Sequence, residues 1–403
     1  MNVNEKGGGI RCNGILEIHG GDISINTRRY QVEGVDAPAA IGCKSNDGCG
    51  IYRFFGGKIV ARGGIYAAGI GGDKSSTDFG TIEIYGGTIE AYGGDISGLF
   101  LYPSAAGIGG GNKATQGSVH IYGGNIKAVG GYNGAGIGSS EDISQDANNI
   151  QVIIDGGTVE ARGDELAAGI GGGDGVNGCT VTINGGDVFA YGGTDAAGIG
   201  GGEGADGGTV TITGGYVYAK GNSNGAGIGG GENGKGGNVT ITGGKVVAMA
   251  GTSENGYRAI GAGKGSSDNG SLTLGDTLMV RDDNDQLVAA ASRKDACRLY
   301  KTSVQPCTHP NATFTVSGCT AQDTHTEHCS YCLTTFVPEL HSFVDGVCTV
   351  CGTHESDPTD LEETNDQSSN RQSSNRKFLK AGLIFIERNG HLYDITGRNL
   401  GCF

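Results

Sequence analysis

The segment Gly-Ile-Gly-Gly, or a close relative, recurs along the first two thirds of the chain, and its period constrains the fold more than any other feature. Its isoleucines are Ile41, Ile70, Ile108, Ile137, Ile170, Ile199, Ile228 and Ile260, spaced by 29, 38, 29, 33, 29, 29 and 32 residues. A unit of about 29 residues that varies only by insertion marks a repeat architecture with variable surface loops. Paired glycines after a short β-branched run form a second mark, as at Gly86-Gly87, Gly156-Gly157 and Gly214-Gly215. In the unit Ala196 to Asn222, Val210 and Ile212 alternate with threonines, and Val217 and Ala219 alternate with Tyr216, Tyr218 and Lys220. Both runs have the period of a strand. Their parity slips across Gly214-Gly215, so that pair must turn or bulge the chain. Ala197, Gly198, Ile199 and Gly200 supply a third, small-residue strand. Three short strands and three glycine-rich corners describe one coil of a parallel β-helix. About eight such coils then stack at roughly 4.8 Å. Stacking is obligatory, because one coil alone cannot bury its apolar face. Cys179 shares the parity of Val181 and Ile183 and reads as a small buried hydrophobe.

Composition separates the repeat from the C-terminal third of the chain. Of 82 glycines, 74 precede residue 271, whereas 8 of the 12 cysteines lie beyond it. Only 6 prolines and no three-residue glycine period exclude collagen. Long helices are excluded too, since each interior glycine costs about 1 kcal/mol against alanine. No run of about 18 apolar residues suggests a transmembrane helix. The net charge of −15 argues against nucleic acid and anionic membranes as partners. The N-terminal MNVNEKGGGIRCNG lacks the apolar stretch of a signal peptide. The chain therefore reads either as cytosolic or as a mature or trimmed fragment, and the cysteines favour the latter.

The units AAGIGGGDGVNGCTVTINGGDVFAYGG, AAGIGGGEGADGGTVTITGGYVYAKGN and GAGIGGGENGKGGNVTITGGKVVAMAG resemble those of bacterial secreted or surface proteins with right-handed parallel β-helices. The resemblance covers about residues 10–275. It implies an extracellular or cell-surface location and a carbohydrate-binding role. Pectate-lyase-like enzymes share the fold, so it also admits a polysaccharide lyase or hydrolase.

Outward positions of stacked strands form columns along the axis. One column reads Val60, Glu90, Lys127, Glu160, Phe189, Tyr218 and Val247; the next reads Arg62, Tyr92, Val129, Arg162, Tyr191, Lys220 and Met249. Aromatic rings can stack on sugars, and Arg or Lys can pair with uronate carboxylates. Tyr92, Arg162, Phe189, Tyr191, Tyr218 and Lys220 are the candidate residues for an acidic polysaccharide. The alternative is a rod or adhesin whose aromatics serve only cross-strand packing. A third column, with His19, Tyr85, Tyr122, Asp155, Asn184, Thr213 and Thr242, reads as a self-satisfying polar ladder or another sugar-facing strip. Carboxylates recur after the isoleucine motif at Asp73, Asp174, Glu203 and Glu232. They are either solvated acidic loops or calcium ligands. Glu160, Arg162 and Asp164 are the best catalytic candidates, but alternation makes such triples by chance. No GxSxG, HExxH or phosphate-binding loop signature is present. The chain therefore reads as non-catalytic.

Behind the repeat, Leu272, Leu274, Leu278 and Val280 alternate, which suits a last coil and a capping strand. The β-helix with its cap is placed at 1–296, and Cys297 with Cys307 is a candidate disulfide closing that cap. A Cys/His-rich, zinc-ribbon-like module is placed at 297–355. Cys329-x2-Cys332 and Cys348-x2-Cys351 stand 15 residues apart, the spacing of a zinc ribbon. Cys307 and His309 with Cys329 and Cys332 make one candidate zinc set, leaving His341, Cys348 and Cys351, with Cys319, for a second. Disulfides are the alternative. Cys43 and Cys49 read as a disulfide or free thiols. HSFVDGVCTVCG resembles short modules that trail repeat domains in secreted bacterial proteins, which implies a structural role. Residues 356–377 read as a disordered linker. Residues 378–403 read as a β-hairpin turning at Asn389-Gly390, and IERNGHLYDITGRNL resembles the end of secretion-associated tails.

Overall fold

In the computed structural model, the described residues are 2–3, 9–27, 38–43, 49–94, 104–141, 149–252, 257–309, 314–317, 324–335, 339–340, 342–344, 347–350, 375–380, 383–388, 391–394 and 399–402. By its internal contacts the chain forms two compact units. One holds residues 1–310 with 331–333, and the other holds 311–330 with 334–403.

The first unit is a right-handed parallel β-helix of about eight coils. Each coil contributes one strand to each of three sheets. The first sheet stacks two-residue strands from Ile10–Arg11 to Ile260–Gly261, all Ile-Gly after the first. The second, here the threonine sheet, stacks the strands from Ile15–Ile18 to Ser271–Leu274. The third, here the alanine sheet, contains Asp22–Asn26, Lys58–Arg62, Thr88–Tyr92, Asn125–Val129, Thr158–Arg162, Asp187–Tyr191, Tyr216–Lys220 and Lys245–Met249.

The stacking is in register, residue type on residue type. Ile170 pairs with Ile137 and Ile199, Val181 with Val210, and Ala190 with Ala161 and Ala219. All of these side chains are buried. Register holds because a one-residue slip would send every inward side chain out to solvent. Cys179 lies in the same core, and burial pushes its thiol up to about 12.

Two glycine positions recur from coil to coil for a physical reason. The second glycine of each paired corner has positive φ, as in Gly186 at +82° and Gly215 at +77°. Only glycine adopts that conformation without a steric penalty. The glycine after each core isoleucine, such as Gly171 at φ +137°, leaves no room for a side chain: a Cβ there would collide with the carbonyl of Gly200 in the next coil.

The far end of the stack is closed by a reversal of strand direction. Lys301–Pro306 runs antiparallel to Lys245–Met249, and Leu278–Arg281 runs antiparallel to Lys301–Pro306. Such a cap occupies an edge that would otherwise template pairing with other chains. The expected Cys297–Cys307 disulfide does not form. Cys297 is buried in the core with Thr302 Oγ1 3.7 Å from its sulfur, and Cys307 sits instead 3.4 Å from His309 Nδ1. Burial raises the Cys297 thiol to about 11. At the other end Cys43 and Cys49 are joined by a disulfide.

In the second unit, Phe314–Ser317 pairs with Thr324–Cys329, and Phe343–Val344 pairs with Val347–Cys348. The tail is larger than a hairpin. Leu383–Arg388 and His391–Asp394 pair as the sequence suggests, and Asn375–Lys380 and Asn399–Cys402 extend them to four antiparallel strands. Residues 356–374, most of the expected linker, lie outside the described residues.

Truncating a core isoleucine leaves a cavity that two neighbouring coils cannot fill. Ile199→Ala is expected to cost about 2–5 kcal/mol, whereas Thr211→Ala on the outer face should stay within about 0.5 kcal/mol. Chemical denaturation of the two variants checks the difference.

Candidate functional sites on the outer faces

The alanine sheet presents the two expected columns in the expected register. Arg162 pairs with Tyr191 and Tyr191 with Lys220; Glu160 pairs with Phe189 and Phe189 with Tyr218. Tyr92 lies further up the same face, opposite Arg62 and Val129. The aromatic members are half-buried, and Arg162 is exposed. Several of them are engaged by neighbours on the same face. The Arg162 guanidinium lies 4.2 Å above the Tyr191 ring and donates to Glu160 at 2.8 Å. Arg62 covers Tyr92 at 3.9 Å, and the Tyr92 hydroxyl donates to Glu90 at 2.8 Å. The Tyr191 and Tyr218 rings are tilted, with centroids 5.8 Å apart.

The third column is richer than the repeat pattern alone suggests. His19, Phe55, Tyr85 and Tyr122 form one stack, with successive centroids 4.6, 4.8 and 4.6 Å apart and planes within 9° of parallel. His120 continues it against Tyr122 at 3.7 Å and meets Asp155 through Nε2 at 2.6 Å. Asn184 donates to Asp155, and Thr213 donates to Asn184, so the column continues as a hydrogen-bonded ladder. These partners hold the Asp155 carboxyl below the usual range, Asn184 first and His120 second. Phe55 and His120 are members that sequence reasoning missed. The available signal for Phe55 was the residue just before each paired glycine, which is aromatic in four successive units, whereas His120 stands two residues before Tyr122 and outside that pattern. Because neighbours cover the ring faces, this stack meets solvent with its edges.

The acidic positions divide. Asp73 is buried and accepts from Ser75 N and Ser76 Oγ, so it organises its own turn. Glu203 and Glu232 gather instead with Asp195, which sequence reasoning also missed, their carboxylate oxygens within 4.8 Å of one another. Asn224 Nδ2 donates to Asp195 and Glu232. Asp174 accepts from Asn133 at 2.9 Å. Burial first, then Glu141 and Glu203, raise the Asp174 carboxyl to about 6.

The predicted first metal set comes together. Cys307, His309, Cys329 and Cys332 place one ligand atom each within 4.8 Å of the others, and this group could hold a metal ion. Cys332 Sγ lies 3.9 Å from His309 Nδ1. Three sulfurs and one imidazole nitrogen at this spacing suit a tetrahedral ion bound at about 2.3 Å from sulfur and 2.0 Å from nitrogen. Of the second set, Cys348 is buried, and His341, Cys351 and Cys319 lie outside the described residues.

A β-helix repeat family model matches residues 55–74, 82–112, 119–141, 152–174, 181–203 and 207–232. The first unit is a parallel β-helix whose coils carry these repeats. The matched stretches fall on the stacked coils described above. No curated protein and no solved structure matches the chain. The β-helix repeat is compatible with either binding or catalysis. No helix among the described residues is long and apolar enough to cross a membrane.

The Asp174 shift has a defined sign. A carboxyl raised from 3.8 to about 6 favours the protonated form in the fold. It therefore costs nothing below pH 3.8, opposes folding increasingly between pH 4 and 6, and carries its full cost above pH 6. Asp174→Asn is expected to raise the melting temperature at pH 7 and to flatten the loss of stability from pH 4 to 6, measured by thermal melts across that range.

Proposed function

We propose that this protein is an extracellular or cell-surface β-helix that binds acidic polysaccharide without acting on it. The observation that carries the reading is the row Arg162–Tyr191–Lys220 beside Phe189–Tyr218 on one accessible sheet face. It offers flat rings for sugar stacking and cations for uronate groups at the coil spacing of about 4.8 Å. The Glu160–Arg162 ion pair leaves neither group poised for proton transfer, which favours binding over a lyase or hydrolase. A disulfide between Cys43 and Cys49 suits an oxidising compartment. A glycan array that includes uronic acid polymers tests this reading. Binding of acidic glycans by the intact chain, weakened about tenfold by Tyr191→Ala or Tyr218→Ala, is the expected result. No binding to any glycan would overturn it.

The self-packed side chains favour a second reading, a structural stalk or adhesin with no small-ligand site. The five-ring stack and the Arg62–Tyr92 and Arg162–Tyr191 contacts serve cohesion as they stand. This reading expects Tyr191→Ala to lower stability and leave glycan binding at background.

Two ions complete the proposal. Cys307, His309, Cys329 and Cys332 hold zinc, with four protein ligands and no open position, so the ion supplies folding energy and no chemistry. Elemental analysis of the purified chain is expected to find zinc, and Cys332→Ser should reduce the amount. A zinc-free chain would remove the assignment. Calcium is the ion for Asp195, Glu203 and Glu232, whose ligands are all oxygens. A calcium titration that leaves the melting temperature unchanged would contradict it.

A further inference from the structure

The geometry points to a second polysaccharide subsite, on the threonine sheet near the N-terminal end of the stack, that takes a neutral, hydroxyl-rich glycan strand. It rests on the polysaccharide-binding reading and adds a place and a ligand charge. A shallow groove of about 550 Å³ runs across the strands Ile15–Ile18, Ile51–Phe54, Asp78–Ile84, Gln116–Ile121 and Asn149–Ile154. Its polar lining is Asn13, Asp78, Thr81, Gln116, Ser118 and Asn149.

The groove is not a by-product of the repeat. Regular units such as GGTVTI give four-residue strands at Thr180–Ile183, Thr209–Ile212 and Asn238–Ile241. In the groove, TDFGTIEI gives a strand of 7 residues at Asp78–Ile84, and the next two strands have 6. The added residues break the register between Gln116 and Ser118. Such a bulge re-aims side chains. Phe79 turns into the core, while Asp78 and Gly80 stay at the groove. A Cβ on Gly117 would strike the Phe79 ring, and one on Gly80 would strike the carbonyl of Gly50, so glycine keeps the floor low.

The result is two polar rows parallel to the axis. Asp78, Gln116 and Asn149 are in register in one, and Thr81 and Ser118 in the other. Carboxamides and hydroxyls both donate and accept, as sugar hydroxyls do. Their repeat of about 4.8 Å is close to the length of one sugar ring, so a linear chain laid along the axis meets one polar group per unit. Asp78 is the one charged residue in the lining. Its carboxylate accepts from Gly80 N at 2.7 Å and Gln116 Nε2 at 3.3 Å. It can accept further from sugar hydroxyls, and it repels uronate. That charge separates this groove from the cation-bearing alanine sheet.

The test measures binding of the intact chain to neutral linear glucan and galactan oligosaccharides and to an oligogalacturonate, by calorimetry. Three variants are compared: Gln116→Ala with Asn149→Ala, Ser118→Arg to fill the groove, and Tyr191→Ala. Unchanged circular dichroism melts establish that each is folded. The expected result is that both groove variants weaken neutral-glycan binding about tenfold and leave oligogalacturonate binding unchanged, while Tyr191→Ala does the reverse. Neutral-glycan binding that survives both groove variants, or a wild type that binds only oligogalacturonate, overturns the subsite and leaves the polysaccharide reading standing. No binding to either class overturns both.

Discussion

Close backbone approach between coils is the constraint on which the rest of this structure depends. In the Ile-Gly strands a carbonyl of one coil occupies the place where the next coil would carry a Cβ, as with Gly171 and the Gly200 carbonyl. That contact brings the coils into backbone hydrogen bonding, for example Gly172 N to Gly200 O at 2.9 Å. It also fixes the tube's width, because the isoleucine between two such glycines becomes the only large inward side chain of its strand. Isoleucine then packs on isoleucine and alanine on alanine. Insertions accumulate mainly in the loops, so the period varies while the inward register holds, with one shift where the threonine-sheet strands lengthen at Gln116–Ser118.

A scaffold built this way leaves its outer faces free to change. Where outward positions carry threonine in successive units, the face is the repeat's own. Where they depart from it, a local cause is required. The departures concentrate in three places: the aromatic stack from His19 to His120, the alanine-sheet columns around Tyr191, and the lengthened strands over the groove. The first is explained by its own contacts, since each ring covers its neighbour. The second and third retain accessible groups of complementary chemistry, cations and rings on one sheet, carboxamides and hydroxyls on another.

The repeat made the stacked coils and the column register readable, because both follow from spacing alone. The pairing of Arg162 with Tyr191 and of Phe189 with Tyr218 needed nothing beyond alignment of the units. The metal set was readable because Cys-x2-Cys has few other uses, and its grouping with Cys307 and His309 matches one of the sequence pairings. Features that depend on burial or a local bulge were not readable. Cys297 looked like a disulfide partner from its distance along the chain, yet the cap buries it beside Thr302. Phe55 belongs to the third column only because its ring stacks between His19 and Tyr85. The groove depends on a register shift at Gly117, which periodicity hides.

Stacked glycines are required by contact, and not by composition or flexibility. Two alanine substitutions separate these causes. A Cβ at Gly202 would meet the Gly173 carbonyl, whereas at Gly20 it meets nothing within 4 Å, and neither glycine has positive φ. The direct measurement is the denaturation free energy of Gly202→Ala beside that of Gly20→Ala. Gly202→Ala is predicted to lose about 3 kcal/mol or more, or to fail to fold, as overpacking against backbone requires. Gly20→Ala is predicted to be neutral or slightly stabilising, by up to about 1 kcal/mol. Equal effects at the two positions would contradict a contact requirement.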